Sequence, residues 1–520
     1  MDKDLQSIQE VRDLVKRAKT AQSEFQKFSQ SDVDRVVQAM ADAGYRAAET
    51  LARAAIDDTH FGRFEDKIIK NQFATRDVWN AIKNLQTVGV IDRDRHHRTM
   101  KIAEPMGIIA AIIPTTNPTS TVMNNMIIGV KGGNAIVASP HPQAANCTMA
   151  AAEVLRLAAE KAGAPAGLIG CIKTPTIVGA QHLMTHDDVN VIVATGGRGI
   201  VKAAYSSGKP AYGVGPGNVP AIIERSANVT KAVKDIIAGK SFDNGVICSS
   251  EQTLIYEGAI ERQVMLALKN LPVHIVSDAE KQKLKNWMFK ADGKLNPAVV
   301  GLDPWRIAEN SGFKVDSKIR VLIVPIDTVG PDEVFSKEKL SPVLALLRAN
   351  SIKQAFNFGL TMIEMSGIGH TASLHTQDED LVLEFAHKFP VGRLIVNSPS
   401  VHGSVGYTTE LSPAFTLGSG TRSGSISMDN ISAKHFINVK TLAYETKPLD
   451  KSGSTDSAID RPFQSRRGSK QPVEKPEAPP VLINPTRVST SVEPDQKNIL
   501  YGSSGITEDE IQKIIRDFKG

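Results

Sequence analysis

The sequence has few cysteines, few aromatic side chains and little net charge, and each scarcity excludes a class of protein. Its three cysteines, Cys147, Cys171 and Cys248, lack the paired spacing of metal sites, and an odd, sparse set is typical of a reducing compartment. Aromatic residues make up 5% of the chain and the formal net charge is +5, which argues against nucleic-acid binding. No apolar run approaches the roughly 20 residues that span a bilayer, and no apolar signal segment opens the chain. These absences predict a cytoplasmic protein with no metal, membrane or nucleic-acid partner.

Strands and helices alternate along the first half of the chain. The apolar run 107–113 is typical of a strand buried on both faces of a parallel sheet. Further strands are predicted at 134–139, 168–173 and 189–195, with helices between them. This alternation predicts a doubly wound α/β domain. The chain has 520 residues, too many for one core, so a second α/β unit is expected beyond it.

Polar turns follow three of these strands, at 114–117, 139–141 and 195–197. Ligands bind doubly wound sheets at the carboxyl ends of their strands, so these turns are the predicted ligand edge. Gly196 and Gly197 open a helix, where a phosphate can approach the backbone closely. The signal is weak without G-x-G-x-x-G, and a tight strand–helix turn explains the glycine pair equally well.

Cys248 follows a glycine turn and precedes an apolar, strand-like run, within the segment 242–252 of sequence FDNGVICSSEQ. A thiol on such a turn can point into a cleft. The thiolate is the nucleophile, so a catalytic role requires a pKa lowered by nearby donors or positive potential. The alternative is a buried structural cysteine.

The composition changes after Lys447, where prolines interrupt Ser, Lys, Glu and Arg, so the segment 447–500 is predicted to be a disordered linker. A short amphipathic helix should end the chain. Thr507 and Glu510 form a capping box, and Ile506 and Ile511 stand at the positions of a hydrophobic staple. Because isolated helices of this length are marginal in water, the helix is interpreted as a docking peptide. The alternative is that it folds back on its own core.

These landmarks together resemble the CoA-acylating branch of the aldehyde dehydrogenase superfamily, which includes the acetaldehyde and propionaldehyde dehydrogenases of bacterial microcompartments. The likeness covers roughly residues 5–446. The motifs that carry it are IPTTNPTS (113–120), ASPHP (138–142), GVGPGNVP (213–220), FDNG (242–245) with CSSEQ (248–252), EKLSPV (338–343) and GHTA (369–372).

The resemblance implies an α/β aldehyde dehydrogenase fold. Its expected parts are a Rossmann-like NAD-binding domain (1–240, with an oligomerisation element near 92–104), a second α/β catalytic domain (241–427), an oligomerisation strand (428–446), the disordered linker (447–500) and a terminal helix (501–520) similar to encapsulation peptides.

The resemblance also implies the roles of individual residues. Cys248 is the expected nucleophile, and the Asn117 side-chain amide with the Cys248 backbone N–H is the expected oxyanion hole. Glu338 is expected to hold the nicotinamide ribose. The other implied cofactor-binding residues are Thr115, Ser139, Pro140, His141, Gly196, Gly197 and Gly215.

One departure from hydrolytic members of the superfamily decides the expected reaction. Those members carry a water-activating glutamate in the loop equivalent to 213–219, and this loop has no carboxylate. A cysteine thioester should therefore last until CoA arrives, in a ping-pong scheme. Glu251 or Glu224 could substitute, although Glu251 is better explained as a cap or salt-bridge partner.

The expected reaction is NAD-dependent oxidation of propionaldehyde or acetaldehyde to the acyl-CoA, in a homo-oligomer inside a bacterial microcompartment. The terminal helix would bind shell proteins. Three alternatives stay open: another aldehyde such as sulfoacetaldehyde, hydrolysis to the free acid, and a non-catalytic cargo or scaffold protein. His370 and His375 are interpreted as structural, and Cys147 and Cys171 as core residues. The sequence does not separate NAD from NADP or dimer from tetramer.

Overall fold

The computed structural model describes residues 2–447, 449 and 506–518. The α-helices of this part are α1 (Lys3–Phe25), α2 (Gln30–Arg46), α3 (Ala48–Thr59), α4 (Phe64–Gln72), α5 (Val78–Ile82), α6 (Pro118–Lys131), α7 (Ala145–Lys161), α8 (Ile177–Thr185), α9 (Arg198–Tyr205), α10 (Val229–Ser241), α11 (Glu261–Lys269), α12 (Asp278–Met288), α13 (Pro304–Asn310), α14 (Ile352–Met365), α15 (Glu379–Lys388), α16 (Ser400–Ser404) and α17 (Glu508–Phe518).

The strands of the described residues are β1 (Gly89–Asp94), β2 (Thr99–Pro105), β3 (Ile108–Ile112), β4 (Ala135–Ser139), β5 (Ile169–Cys171), β6 (Val191–Thr195), β7 (Ala211–Val214), β8 (Val219–Ile223), β9 (Glu251–Glu257), β10 (Val273–Ile275), β11 (Val321–Ile326), β12 (Val343–Ala349), β13 (Gly369–His375), β14 (Val391–Val396) and β15 (Ile437–Ala443).

Two parallel sheets form the body of the molecule. The first has the strand order β5-β4-β3-β6-β7, and the second has the order β10-β11-β12-β9-β8-β13-β14. Their central strands are buried on both faces, as the continuous apolar runs predict, because helices cover each sheet. The predicted strands at 107–113, 134–139, 168–173 and 189–195 are confirmed as β3 to β6, each within a few residues of its expected bounds.

A small antiparallel sheet, β1-β2-β15, pairs β15 with two strands that precede the first parallel sheet in the chain. β15 runs beside the whole of β2, from Ile437 opposite Pro105 to Ala443 opposite Thr99. The resemblance implied a last strand within 428–446; β15 occupies Ile437–Ala443 of that range, and residues 433–436 form a 3-10 turn that precedes it. The domain boundaries at 240 and 427 remain a prediction, and β8 pairs within the second sheet.

The terminal helix is present and its predicted cap is confirmed. The Thr507 N–H donates to the Glu510 carboxylate (2.8 Å), and the Glu510 N–H donates to Thr507 Oγ1 (3.3 Å). Its apolar face is buried against α3 and α7 of the same chain, with Ile511 fully inaccessible. Of the two interpretations of this helix, the structure shows the folded-back one. The linker predicted at 447–500 lies almost wholly outside the described residues.

None of the helices in residues 2–447 and 506–518 combines the length and the apolar character that a membrane-spanning segment needs.

Candidate active site

The predicted site residues come from the facing ends of the two parallel sheets. Strands β4, β3, β6 and β7 are neighbours, so the turns that follow them line one edge of the first sheet. Strands β12, β9, β8 and β13 are neighbours in the second sheet, and here the site residues precede the strands. The short connection 215–218 joins the end of β7 to the start of β8, and so brings the two edges together.

The segment that carries Cys248, the predicted nucleophile, is bent by left-handed backbone. Asp243 and Asn244 have φ values of 46° and 53°, which non-glycine residues rarely adopt, and Gly245 follows at 69°. The Asn244 amide donates to the Gly301 carbonyl and to the Asp303 carboxylate, both at 3.0 Å, and thereby holds this turn. The turn directs Cys248 toward the edge of the first sheet.

Burial, and to a smaller extent the Glu338 carboxylate, raise the pKa of the Cys248 thiol to about 12. The Arg393 guanidinium and the backbone N–H groups of Cys248 and Ser249 oppose this rise. The donors that a reactive cysteine requires are therefore present, as expected for this turn. In the protein alone they do not give the lowered pKa that a catalytic role requires, because desolvation of the thiolate outweighs them.

Asn117 lies at the start of α6, one residue before Pro118, and is 8% exposed. Its amide oxygen accepts a hydrogen bond from Lys70 Nζ at 2.7 Å. Its amide nitrogen donates to Thr116 Oγ1 at 3.1 Å, which uses one of its two protons. One amide proton is therefore left to stabilise an oxyanion, as the predicted role requires.

The predicted nucleotide residues lie along the carboxyl edge of the first sheet. Ser139 ends β4, Pro140 is buried beside it, and His141 is exposed. Gly197 is the exposed residue that precedes α9, and a Cβ built on it meets no atom within 4 Å. The hydroxyl of Thr195 is buried without a partner among the described residues. An open glycine turn with an unpaired hydroxyl suits the sugar and phosphates of a dinucleotide.

Gly217 lies between Glu338 and Cys248. Its N–H donates to Glu338 Oε1 at 3.1 Å, and a Cβ built on it would stand 2.0 Å from the Cys248 carbonyl oxygen. Burial raises the pKa of Glu338 to about 7. Gly215, by contrast, faces open space. Thr115 is half-buried in the turn after β3.

An apolar wall surrounds the thiol. Cys248 and Phe415 pack against a small cluster, whose members are Phe73, Val214, Val405, Ala414 and Leu417. Phe73 begins a single π-helical turn, Phe73–Asp77, a feature that is common at functional sites. Phe73 lies far from the other members of this cluster in sequence, so no sequence pattern groups it with them.

Two further residues lie near the thiol: Arg393, which was given no role from the sequence, and His370, which was interpreted as structural. Arg393 is 2% exposed and donates to the carbonyls of His370 (2.8 Å) and Gly418 (2.7 Å), without a carboxylate partner among its hydrogen bonds in the described residues. His370 Nδ1 stands 3.5 Å from a Cβ built on Gly217, and its Nε2 has no partner in the described part of the chain. Burial lowers the pKa of His370 to about 3, so the ring is neutral. The GHTA motif is the only sequence signal for it.

The two glutamates that were weighed as substitute bases have other partners. Glu251 accepts the Ser400 N–H at 2.6 Å and faces Gly239 on α10. Glu224 follows β8, at the end of the strand opposite to Cys248, and accepts hydrogen bonds from Thr376 (2.8 Å) and the Ser226 backbone N–H (2.9 Å). Five residues of β8 correspond to roughly 16 Å, which keeps Glu224 away from the thiol.

Residues 4–408 match the model of the aldehyde dehydrogenase family, and the chain belongs to that family. The chain is 41% identical over 442 residues to the bifunctional aldehyde-alcohol dehydrogenase AdhE of Escherichia coli. The aligned region covers 84% of this chain and 50% of AdhE. The chain therefore spans about half the length of that curated relative. It is 35% identical to the acetylating succinate-semialdehyde dehydrogenase of Clostridium kluyveri, over 84% of this chain and 96% of the relative.

Solved structures agree with this assignment. An acetylating aldehyde dehydrogenase from Geobacillus thermoglucosidasius superposes with a TM-score of 0.85 at 46% identity, over 86% of this chain and 99% of that one. A propionaldehyde dehydrogenase from a fucose-utilisation microcompartment of Clostridium phytofermentans gives 0.77 at 28%, over 84% and 97%. A propionaldehyde dehydrogenase from Rhodopseudomonas palustris, with bound CoA and an acylated cysteine, gives 0.76 at 29%, over 84% and 97%. The resemblance and the α/β fold predicted from the sequence are both confirmed.

Proposed function

We propose that this protein is an NAD-dependent, CoA-acylating dehydrogenase of short aldehydes. The observation that carries the proposal is the connection 215–218, which touches Cys248 and contains no carboxylate. Glu251 and Glu224 are held elsewhere by their own partners. The related enzyme with bound CoA and an acylated cysteine supports the same chemistry.

In the proposed reaction the Cys248 sulfur attacks the aldehyde carbon, while the Asn117 amide and the Cys248 N–H stabilise the oxygen. Such donors contribute about 3–4 kcal/mol each to lowering the barrier. NAD⁺, held at Ser139, His141, Gly196, Gly197 and Glu338, would supply the hydride acceptor. The thioester left on Cys248 then passes its acyl group to the CoA sulfur and restores the thiol. The net products are acyl-CoA, NADH and a proton.

The apolar wall around Cys248 favours an apolar substrate. Phe73, Phe415 and Leu417 offer contact to a methyl or ethyl group and no charge to pair with a sulfonate. Acetaldehyde or propionaldehyde therefore fits this surface better than sulfoacetaldehyde.

The proposal is tested by incubating the enzyme with aldehyde and NAD⁺, with and without CoA. We expect sustained NADH formation only with CoA, and about one equivalent of NADH per site without it. NADH formation at an undiminished rate without CoA, with free acid as product, would identify a hydrolytic enzyme. No NADH under either condition would favour the cargo or scaffold alternative.

We also propose that the protein works as a homo-oligomer in a bacterial microcompartment within the cytoplasm, and that α17 docks on shell proteins. The support is the capped, amphipathic α17 at the end of a long connection, together with the microcompartment origin of a similar structure. Because the same isoleucines are buried on the core, shell binding requires α17 to leave α3 and α7. Removal of residues 501–520 should leave kinetics intact and abolish co-purification with shells. Full shell association of the truncated protein would disprove this role.

A further inference from the structure

A buried lysine determines which way the Asn117 amide points. Lys70 Nζ lies 2.7 Å from Asn117 Oδ1, and Lys70 is 3% exposed. An ammonium group has only donors, so the atom that it contacts must be the amide oxygen. The amide nitrogen consequently occupies the other side of the group, where an oxyanion needs a donor.

The lysine is itself held by the segment that carries the nucleophile. Lys70 donates to the Asp243 carboxylate, and Lys67 donates to the same carboxylate at 3.1 Å. The remaining Asp243 oxygen accepts the Arg63 N–H at 2.6 Å. Asp243 is five residues before Cys248 and is one of the residues in left-handed backbone. One carboxylate thus links the turn of the nucleophile, through Lys70, to the amide of the oxyanion hole.

The close fit around Asp243 supports a role that depends on its position. A Cβ built on Gly62 would stand 1.9 Å from Asp243 Oδ1, so the carboxylate occupies a space that a larger residue at position 62 would close. Burial lowers the pKa of Lys70 to about 8, while Asp243 acts in the opposite direction. Burying an ammonium group is costly unless it is well paired, and Asp243 provides that pairing for Lys70.

We propose that Lys70 is a positioning residue of the oxyanion hole: it fixes the Asn117 amide with its nitrogen toward the reacting oxygen. The proposal rests on the function proposed above. The terminal torsion of asparagine is soft and roughly two-fold, so without Lys70 the amide can turn over. The turned amide would present its oxygen to the developing negative charge, which is repulsive. Lys70 therefore acts through Asn117 and not by contact with the substrate.

A double-mutant cycle tests this directly. The variants are Lys70→Met, Asn117→Ala and both together, and the measurement is the rate constant of the first NADH turnover without CoA. Losing an oxyanion donor costs on the order of a hundredfold. We expect Asn117→Ala to lose about that much and Lys70→Met at least about tenfold. In the Asn117→Ala background Lys70→Met should change the rate less than about threefold, because the group it orients is gone.

Lys67→Met is the matched control, because Lys67 is as buried as Lys70 and shares Asp243. Its side chain makes no hydrogen bond to Asn117 in the described part of the chain. We expect comparable thermal destabilisation from both lysine variants, but a slowed first turnover only from Lys70→Met, with the aldehyde KM within about twofold of the wild type. If Lys70→Met does not fold, Lys70→Gln replaces it in the cycle, because the uncharged side chain is one bond shorter but can still donate to Asp243, which keeps Lys67 as its other partner.

Equal losses from Lys70→Met in the two backgrounds, or an equal loss from Lys67→Met, would overturn the positioning role. A fully active Asn117→Ala variant would instead show that Asn117 is not the oxyanion donor. In that case the oxyanion hole of the function proposed above would lack its side-chain donor, and Lys70 would have no catalytic group to position.

Discussion

The Cys248 thiol combines a reactive position with a pKa that keeps it protonated. Burial and Glu338 raise the pKa to about 12 despite Arg393 and two backbone donors. In the protein alone the thiolate is therefore a small fraction at neutral pH. A protonated thiol is less open to oxidation and alkylation than a thiolate.

The pH dependence of alkylation checks this pKa. For a thiol whose pKa is about 12, the thiolate fraction rises about tenfold per pH unit between pH 7 and pH 10. We expect the iodoacetamide rate at Cys248, followed by peptide mass mapping, to rise along that slope without a plateau. A plateau below pH 9 would show that the donors outweigh burial.

Replacement of Glu338 by glutamine should speed this alkylation. The change removes a negative charge that raises the pKa of the Cys248 thiol, so at pH 9 the rate should increase several-fold. Because the pKa of Glu338 is about 7, the carboxyl is mostly neutral at pH 6, and the difference should shrink there. The exposed Asp332→Asn is the control. An equal effect from both variants would contradict the assignment. Glu338→Gln should also raise the KM for NAD⁺.

Some site residues were predictable one by one and others were not. Cys248, Asn117 and Glu338 stand inside motifs, so a resemblance is enough to find them. Arg393 and Lys70 act through contacts that join distant parts of the chain, 25 residues from Gly418 and 47 residues from Asn117. Nothing in their local sequence distinguishes them from a surface arginine or lysine. The folded structure shows that both side chains are buried and which atoms they contact.

At the scale of elements, the connection between β7 and β8 couples the two sheets. Gly217→Ala would place a methyl group against the Cys248 carbonyl oxygen, 2.0 Å away, so the connection or the nucleophile must move. We expect the first-turnover rate to fall about a hundredfold, because small displacements at a reacting centre are that costly. Gly199→Ala, where the added methyl meets open space, should retain near-normal rates. Equal effects would show that the contact is unimportant.

The terminal helix is held by its apolar face and a few polar contacts. Lys161 pairs with Glu510 at 2.6 Å, and Arg46 donates to the Ile506 carbonyl at 3.1 Å. Burying Ile511 contributes about 2–5 kcal/mol, more than exposed ion pairs supply. Ile511→Gln should therefore release α17, and amide hydrogen exchange at 506–518 should lose its protection. The exposed Lys513→Gln should retain protection. Protection that survives Ile511→Gln would mean that another contact anchors the helix.

The strands were predictable because buried parallel strands leave continuous apolar runs, as β3 and β4 do. Which end of a strand carries the chemistry was only half predictable. For the first sheet, ligand binding at the carboxyl ends of the strands remains a prediction. In the second sheet Cys248 and Glu338 precede β9 and β12, so their site lies at the amino ends. The docked position of α17 is likewise a property of the assembled core that a helical pattern alone does not reveal.

For the whole molecule, the proposed function rests on these opposite polarities. In that proposal the carboxyl edge of the first sheet offers backbone donors and glycines to a nucleotide, and the amino edge of the second offers the thiol. The connection 215–218 joins the two edges, so the acyl group and the hydride acceptor would meet between them. Substrate length and the choice between NAD and NADP depend on a few side chains at these edges, which is why the fold pattern does not decide them.

In the proposed reaction Cys248 carries an acyl group that water does not readily remove. Peptide mass spectrometry of enzyme mixed with propionaldehyde and NAD⁺ without CoA, then quenched in acid, detects that group directly. We expect a propionyl adduct on Cys248 at close to one per site, which disappears when CoA is added before the quench. An adduct on another residue, or none while NADH accumulates, would contradict it.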